Sequence, residues 1–165
     1  MYSMSDNSPA EKIAVNAAIE YLNSLSETQQ IISVENDPEY QKIDVDLIWK
    51  TSDNTQSFIE VKGDTYITGN FAFEITSNQS LNTPGCFLYT QANYIFYYFI
   101  KWKRLYILPM PETRNWFTPL LDEYREIYPQ TVNEGTRDYS HTTVCKLVPI
   151  QDVKAAIPKM LEIQL

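Results

Sequence analysis

Residues 58–64 read FIEVKGD, and this stretch decides how the chain is interpreted. Apolar and charged residues alternate in it, which predicts a β-strand. Side chains two residues apart on a strand point to the same face, so Glu60 and Lys62 share one side. That side faces either water or a ligand that interacts with both charges.

The segment before this strand gives Glu60 a neighbour. Residues 42–50 read KIDVDLIWK and alternate at period two, and TSDNT after them is a turn sequence. We therefore predict a β-hairpin over residues 43–62. Such a hairpin brings Asp46 close to Glu60.

Two carboxylates that converge from adjacent strands repel each other unless a cation lies between them. Hard oxygen ligands suit Mg²⁺, so Asp46 and Glu60 are predicted to bind this metal, and the backbone carbonyl of Val61 can add a third oxygen. Lys62 is then placed to orient a water molecule or to stabilise charge on a reacting phosphate. Asp44 lies two residues from Asp46 and competes with it as the first ligand.

The remaining pattern predicts an α/β fold, with a mixed central sheet flanked by helices. A first helix should begin at Pro9, with Ser8 as its N-cap and Glu11 completing a capping box. Further strands are predicted in QIISV, FAFEIT, ANYIFYYFI, RLYILPM and HTTVCKLVPI. Further helices are predicted after Pro84, over residues 111–128, and over residues 150–165 with a bend near Pro158.

Three residues carry a resemblance to a known family. Asp46 in DVDLIW, followed by Glu60 and Lys62 in IEVKGD, resembles the motif of the PD-(D/E)XK nuclease superfamily, also called the restriction-endonuclease-like fold. The first helix fits as well, because members often carry a glutamate near its start, here Glu11. Val45 precedes Asp46 where the superfamily's name has a proline.

A second segment extends this resemblance. The sequence TGN at residues 68–70 and the later Glu74 resemble phage-type and bacterial members of the superfamily. The resemblance covers roughly residues 9–109. We therefore expect one domain over residues 1–165, with a helix-strand-helix extension at residues 110–165.

The resemblance implies a Mg²⁺-dependent DNA endonuclease, for which Mn²⁺ can substitute. Asp46, Glu60 and the Val61 carbonyl would hold the metal, and Lys62 would position the attacking water. Glu11, Asp44 and Glu74 are additional candidates, the last of which could equally be an outward residue of an edge strand. Cleavage of both strands usually needs two sites, so the resemblance also suggests a homodimer.

The sequence KWKR supplies candidate contacts to DNA. Lys101, Lys103 and Arg104 could contact phosphates while Trp102 stacks on a base. The alternative is an ordinary charged turn between two apolar strands.

The composition of the chain bears on the predicted DNA-binding function. The chain has 13 Lys and Arg against 21 Asp and Glu, a net charge of −8, which opposes nonspecific DNA binding. The alternative function is therefore a catalytically inactive protein of the same fold that binds nucleic acid or a protein partner. No membrane span or secretory signal is visible, and Cys86 and Cys145 match no metal spacing, so we expect a cytoplasmic protein.

Overall fold

A computed structural model of the protein describes residues 9–132 and 139–165. Its α-helices are α1 Pro9–Ser24, α2 Pro38–Gln41, α3 Cys86–Tyr89, α4 Glu112–Phe117 and α5 Ile150–Ala156. Its strands are β1 Thr28–Ser33, β2 Leu47–Thr51, β3 Gln56–Asp64, β4 Asn70–Asn78, β5 Thr83–Pro84, β6 Tyr94–Phe99, β7 Arg104–Pro109, β8 Arg125–Ile127, β9 Gln130–Val132, β10 Tyr139–Thr142, β11 Val144–Pro149 and β12 Leu161–Gln164. The predicted N-cap, Ser8, lies outside the described residues.

Contacts within the chain group these elements into two compact units whose segments alternate along the sequence. The first unit holds residues 9–68, 91–111 and 159–165. The second holds residues 69–90, 112–132 and 139–158. The boundaries proposed from sequence for one domain with an extension stay a prediction.

The first unit is built on a six-stranded mixed sheet in the order β1-β2-β3-β6-β7-β12. Strands β3 and β6 are parallel, and the other neighbours are antiparallel. Helix α1 packs on one face, where its Ala14, Ala18 and Leu22 join a buried cluster with Ile59 and Val61. The predicted α/β class with a mixed central sheet flanked by helices is confirmed.

The opposite face of the sheet has its own smaller cluster. Ile48 of β2 lies in it beside Val45 and Ala92, and Tyr40 of α2 packs against these residues together with Phe58. Because side chains alternate along a strand, the neighbours Leu47 and Ile48 serve different clusters. Glu60 and Lys62 of β3 belong to the same sheet face as Ile48, because Ile48 pairs with Phe58.

The second unit has a four-stranded sheet in the order β5-β4-β11-β8 and a two-stranded pair of β9 and β10. Its interior is aromatic. Phe73 stacks on Phe87 at 4.0 Å between ring centroids, and Phe117 meets both rings edge-on at 5.2 Å. These rings hold α3 and α4 against β4.

The helix predicted over residues 111–128 is only partly correct. Helix α4 ends at Phe117, a 3₁₀ helix follows over Thr118–Glu123, and β8 pairs with β11. Pro119, at the start of the 3₁₀ segment, cannot donate the backbone hydrogen bond that an α-helix would need there. Long-range pairing with β11 then decides the conformation of the last residues.

The helix predicted over residues 150–165 is wrong in its second half. Helix α5 ends at Ala156, and β12 runs antiparallel to β7 with Ile163 opposite Leu105. Pro158 disfavours the helical conformation at the residue before it. Ile163 instead packs against the core cluster beneath the sheet. The predicted helix-strand-helix order after residue 110 is therefore also wrong.

The predicted hairpin forms, but its first strand is shorter than expected. Strand β2 begins at Leu47, and the residues before it form a turn in which Asp44 has a φ of +56°. Aspartate tolerates this left-handed conformation better than most residues. Within residues 9–132 and 139–165, no helix has both the length and the apolar character that a membrane crossing requires.

Candidate metal centre

Strand pairing places Asp46 beside Glu60. Leu47 of β2 pairs with Ile59 of β3, and Asp46 and Glu60 directly adjoin this pair. The Asp46 backbone N–H donates to the Ile59 carbonyl at 2.9 Å. The Val61 N–H donates to Asp46 Oδ2 at 2.8 Å. The main chain of β3 therefore fixes both the backbone and the carboxylate of Asp46.

Glu60 is the buried centre of this group. It is 3% exposed, its Oε1 lies 2.9 Å from Lys62 Nζ, and the charge of Asp46 lies within electrostatic range of it. The structure thus brings together Asp46, Glu60 and Lys62, the three residues singled out in the sequence.

Burial dominates the acidity of both carboxyl groups. Desolvation raises the pKa of Glu60 well above its ordinary value of 4.5, against the opposing effect of Lys62, and the charges of Asp44 and Asp46 add to the increase. Desolvation also raises the pKa of Asp46 from 3.8, although Lys62 and the Val61 N–H oppose it. Both groups therefore hold protons more tightly than exposed carboxyl groups do.

Asp44 approaches the same point from the turn before β2. One of its carboxylate oxygens lies within 4.8 Å of one from Glu60. Sequence reasoning left Asp44 and Asp46 as competing ligands. The structure places both beside Glu60, so the two residues do not exclude each other.

Glu11 reaches the neighbourhood from the first turn of α1. Its charge raises the pKa of Asp46, so the two acids lie within electrostatic range. Gly63 permits this approach, because a Cβ there would lie 2.7 Å from the carbonyl carbon of Ala10 and 3.1 Å from Ala14 Cβ. A glycine beside Lys62 thus lets the start of the helix lie against the strand.

The donor set fits a divalent cation. Asp44 and Glu60, whose carboxylate oxygens lie within 4.8 Å of each other, offer hard ligands that Mg²⁺ and Mn²⁺ prefer, and Asp46 adds a carboxylate within electrostatic range of Glu60. With all groups ionised, three carboxylates and the Lys62 ammonium leave a formal charge of −2 at this point. We call these four residues the carboxylate site. The Val61 N–H supports Asp46, and a ligand role for its carbonyl stays a prediction.

Glu74 belongs to the second unit. It lies on β4, which is an inner strand between β5 and β11, so the edge-strand interpretation is wrong. Its Oε1 accepts a hydrogen bond from the Cys86 N–H at 3.3 Å, at the start of α3. This contact gives Glu74 a structural role within its own unit, and a metal role stays a prediction.

The KWKR segment is a tight connection between β6 and β7. Trp102 packs on Phe99 at 5.2 Å between ring centroids, and Arg104 forms an ion pair with Glu162 at 3.0 Å. Lys101 and Lys103 are exposed. Two of the four residues thus help to hold the sheet together, and the DNA-binding role of the segment stays a prediction.

Sequence reasoning overlooked Asp64, which lies on the same face of β3 as Glu60 and Lys62. Its Oδ2 accepts a hydrogen bond from the Tyr97 hydroxyl at 2.7 Å, and its Oδ1 accepts one from the Tyr66 N–H at 2.7 Å. The period-two spacing of Glu60, Lys62 and Asp64 is the signal that could have found it.

Comparison with known proteins adds a family. The model of the family described as Protein NO VEIN, C-terminal, matches residues 10–97. This range covers more than half of the 165 residues and includes Glu11 and the whole carboxylate site. No curated protein and no solved structure matches the chain.

Proposed function

The chain belongs to the family described as Protein NO VEIN, C-terminal, and from the geometry of its carboxylate site we propose that it is a Mg²⁺-dependent DNA endonuclease. One observation carries this proposal. The buried Glu60, on the second strand of the β2–β3 hairpin, lies 2.9 Å from Lys62 Nζ and within electrostatic range of Asp46. This is the arrangement of acids and lysine that the PD-(D/E)XK resemblance implies.

The order of elements supports the same proposal. Helix α1 precedes three antiparallel strands, β1 to β3, and β6 then joins β3 in parallel. Glu60 and Lys62 lie on the third of these strands, and Asp46 directly precedes the second. A helix, a strand, a strand with Asp and a strand with Glu-x-Lys form the first part of the superfamily's core, as inferred from the sequence.

Each residue has a distinct task in this proposal. Asp46 and Glu60 would hold the metal, and Asp44 is available beside Glu60. The Val61 N–H keeps Asp46 oriented before any substrate arrives. When bound, Mg²⁺ polarises the phosphate and lowers the pKa of an attacking water.

Lys62 carries the only positive charge of the carboxylate site. Its ammonium lies 2.9 Å from Glu60 Oε1 and its side chain is 28% exposed, so Lys62 can contact both the buried acids and a phosphate at the surface. There it orients the attacking water and offsets the negative charge that develops on the phosphate in the transition state.

The proposal is tested by cleavage of plasmid and single-stranded DNA in Mg²⁺ or Mn²⁺. Lys62→Ala should lower the rate about 10²- to 10⁴-fold, the usual loss for one positioned acid–base group. Lys62→Arg keeps a cation beside Glu60, so it should fold like the wild type. It should nevertheless stay slow, because guanidinium remains protonated and is differently shaped.

Lys42→Ala is the matched control, because the Lys42 side chain is exposed and its Nζ lies 2.6 Å from Oε1 of the exposed Glu39. It should cleave like the wild type. Full activity in both Lys62 variants would contradict the proposal. Absence of cleavage by the wild type, with retained DNA or protein binding, would favour an inactive binding protein, which the net charge of −8 also favours.

A homodimer belongs to the same proposal, because cutting two strands in one encounter usually needs two sites. Sedimentation with and without a DNA substrate measures this directly.

A further inference from the structure

The loop that follows β3 presents an aromatic ring to solvent. Residues 65–68 are all exposed, Tyr66 is 73% exposed, and the adjacent Ile67 is 54% exposed. Single exposed apolar residues are common and need no explanation. Here Tyr66 and Ile67 are adjacent in a loop directly after a charged strand, and together they leave apolar surface that the fold does not bury.

The backbone beneath this ring is held in place. Asp64 ends β3 and accepts the Tyr66 N–H at one carboxylate oxygen. Its second oxygen accepts the hydroxyl of Tyr97, a buried residue of the neighbouring strand β6. Tyr66 is therefore presented from an anchored position, so less conformational entropy is lost when a ligand orders its ring.

The ring is also close to the carboxylate site along the chain. Tyr66 follows Lys62 by four residues, so their Cα atoms are at most ~14 Å apart. Stacked nucleotides rise ~3.4 Å each along one strand. A strand whose phosphate lies at Lys62 can thus place a base within about four nucleotides at Tyr66.

Electrostatics favours stacking over phosphate binding as the source of affinity. The net charge is −8, and Lys42, Lys62 and Arg104 are each paired with a glutamate. Affinity that comes from phosphate neutralisation is therefore limited. Stacking of a base on an aromatic ring needs no cation and is worth ~1–3 kcal/mol per base by alanine substitution.

We infer that Tyr66 stacks on an unpaired base, and that the substrate of the carboxylate site is single-stranded DNA or DNA with unpaired nucleotides beside the cleaved bond. In a duplex the faces of the bases are covered by their neighbours, so only unpaired bases benefit from this ring. This inference rests on the proposed endonuclease function for its substrate, and Tyr66 is a specificity-determining residue in it.

The test is equilibrium binding in EDTA, measured by fluorescence anisotropy. The probes are a labelled single strand of mixed sequence, the matching blunt duplex, and the same strand with abasic sites at its centre. Tyr66→Ala should weaken binding of the single strand ~5- to 150-fold. It should leave binding of the duplex and of the abasic strand unchanged.

Two further variants keep the result interpretable. Tyr66→Phe retains the ring and should bind the single strand like the wild type. Tyr128→Ala removes a tyrosine that is 55% exposed in the second unit, and it should change nothing. Thermal melts of all variants should coincide, because an exposed ring contributes little to burial.

The inference is overturned if Tyr66→Ala binds the single strand as the wild type does, if it weakens all three probes equally, or if the wild type prefers the duplex. Each of these results is obtained without metal, so it leaves the cleavage test of Lys62 unaffected. Loss of cleavage with intact stacking would instead contradict only the endonuclease proposal.

Discussion

In the proposed function, the chemistry of the carboxylate site depends on Glu60. A buried carboxylate is expensive unless charge or hydrogen bonds compensate for lost hydration. Lys62 supplies one compensating charge at 2.9 Å, while Asp44 and Asp46 add negative charge. Lys62 alone does not compensate for the lost hydration and the two negative neighbours, so the pKa of Glu60 is raised. A divalent cation would supply the missing positive charge.

The raised pKa values predict a pH-dependent stability without metal. Because the folded state raises the pKa of Asp46 above 3.8 and that of Glu60 well above 4.5, it binds their protons more tightly than the unfolded chain does. Their contribution to stability is complete below those ordinary values. It is lost as pH rises through the raised values, so the melting temperature should fall over that window.

Mg²⁺ should reverse this loss near neutral pH, because the metal competes with protons for the same oxygens. At a ~100-fold excess over its Kd, it should add about 2.7 kcal/mol to the free energy of unfolding. Near pH ~4, protonated carboxyl groups should abolish most of this gain. Calorimetric melts at several pH values, with and without Mg²⁺, measure both effects.

Variants assign the effect to this site. In the double variant Asp46→Asn and Glu60→Gln, the fall in melting temperature with rising pH and the stabilisation by Mg²⁺ should both disappear. Glu39→Gln removes an exposed carboxylate and should keep both. Equal Mg²⁺ stabilisation of the double variant would place the metal elsewhere.

At the scale of elements, the contact between α1 and β3 sets the geometry of the site. Ala14, Ala17 and Ala18 give the helix a flat surface of small side chains, and all three are buried. Gly63 adds the closest approach, at the carbonyl of Ala10. This packing keeps the first turn of the helix, with Glu11, near Asp46.

Gly63→Ala should therefore be destabilising. The added methyl group meets helix backbone, which cannot rotate away as a side chain can, and overpacking of this kind costs ~1–3 kcal/mol. Chemical denaturation measures the loss. Gln56→Ala, at the exposed start of the same strand, is the control and should have little effect.

The same variant links packing to the site. If α1 must shift to admit the methyl group, Glu11 moves relative to Asp46 and Mg²⁺ affinity should change as well. Unchanged stability and unchanged Mg²⁺ affinity in Gly63→Ala would show that the close approach of helix and strand is not needed.

Strand β12 shows how a distant segment completes an element. Glu162 pairs with Arg104, and the Gln164 side-chain oxygen accepts a hydrogen bond from Arg104 Nε at 3.3 Å. Antiparallel pairing of β12 with β7 covers the edge of β7, which would otherwise present unpaired backbone groups. The side-chain contacts also explain why Arg104 is less available to DNA than its sequence context suggested.

At the scale of the whole molecule, the excess of acidic residues limits how DNA can be bound. For single strands, the logarithm of affinity falls with the logarithm of salt concentration with a slope of about −0.7 per phosphate neutralised. If the exposed Lys101 and Lys103 make the main phosphate contacts, the slope should be shallow, about −1.4. Salt titration of single-strand binding measures it.

The double variant Lys101→Ala and Lys103→Ala should bring this slope close to zero while leaving the dependence on Tyr66 intact. Lys42→Ala should leave the slope unchanged, because Lys42 is already paired with Glu39. A steep slope that survives the double variant would show that other cations contact the phosphates.

Local sequence was sufficient for most of the first half of the chain. The start of α1 at Pro9, the hairpin of β2 and β3, and the apolar strands β6 and β7 follow from caps, turns and side-chain periodicity. The proximity of Asp46 to Glu60 follows from the same hairpin, whose last pair is Leu47 and Ile59. These features depend on residues close together in the sequence, so local rules identify them.

Only the tertiary structure decided the rest. The strand character of residues 161–164 and the ion pair of Arg104 depend on partners far away in the chain. The position of Asp44 beside Glu60 depends on a left-handed turn that the alternating sequence pattern does not reveal. Strand formation reflects packing against neighbours more than intrinsic preference, so a terminal segment can read as a helix and still become a strand. Likewise, the burial that raises the pKa of Glu60 comes from the assembled fold, because the charged pattern FIEVKGD alone is equally compatible with a solvated strand.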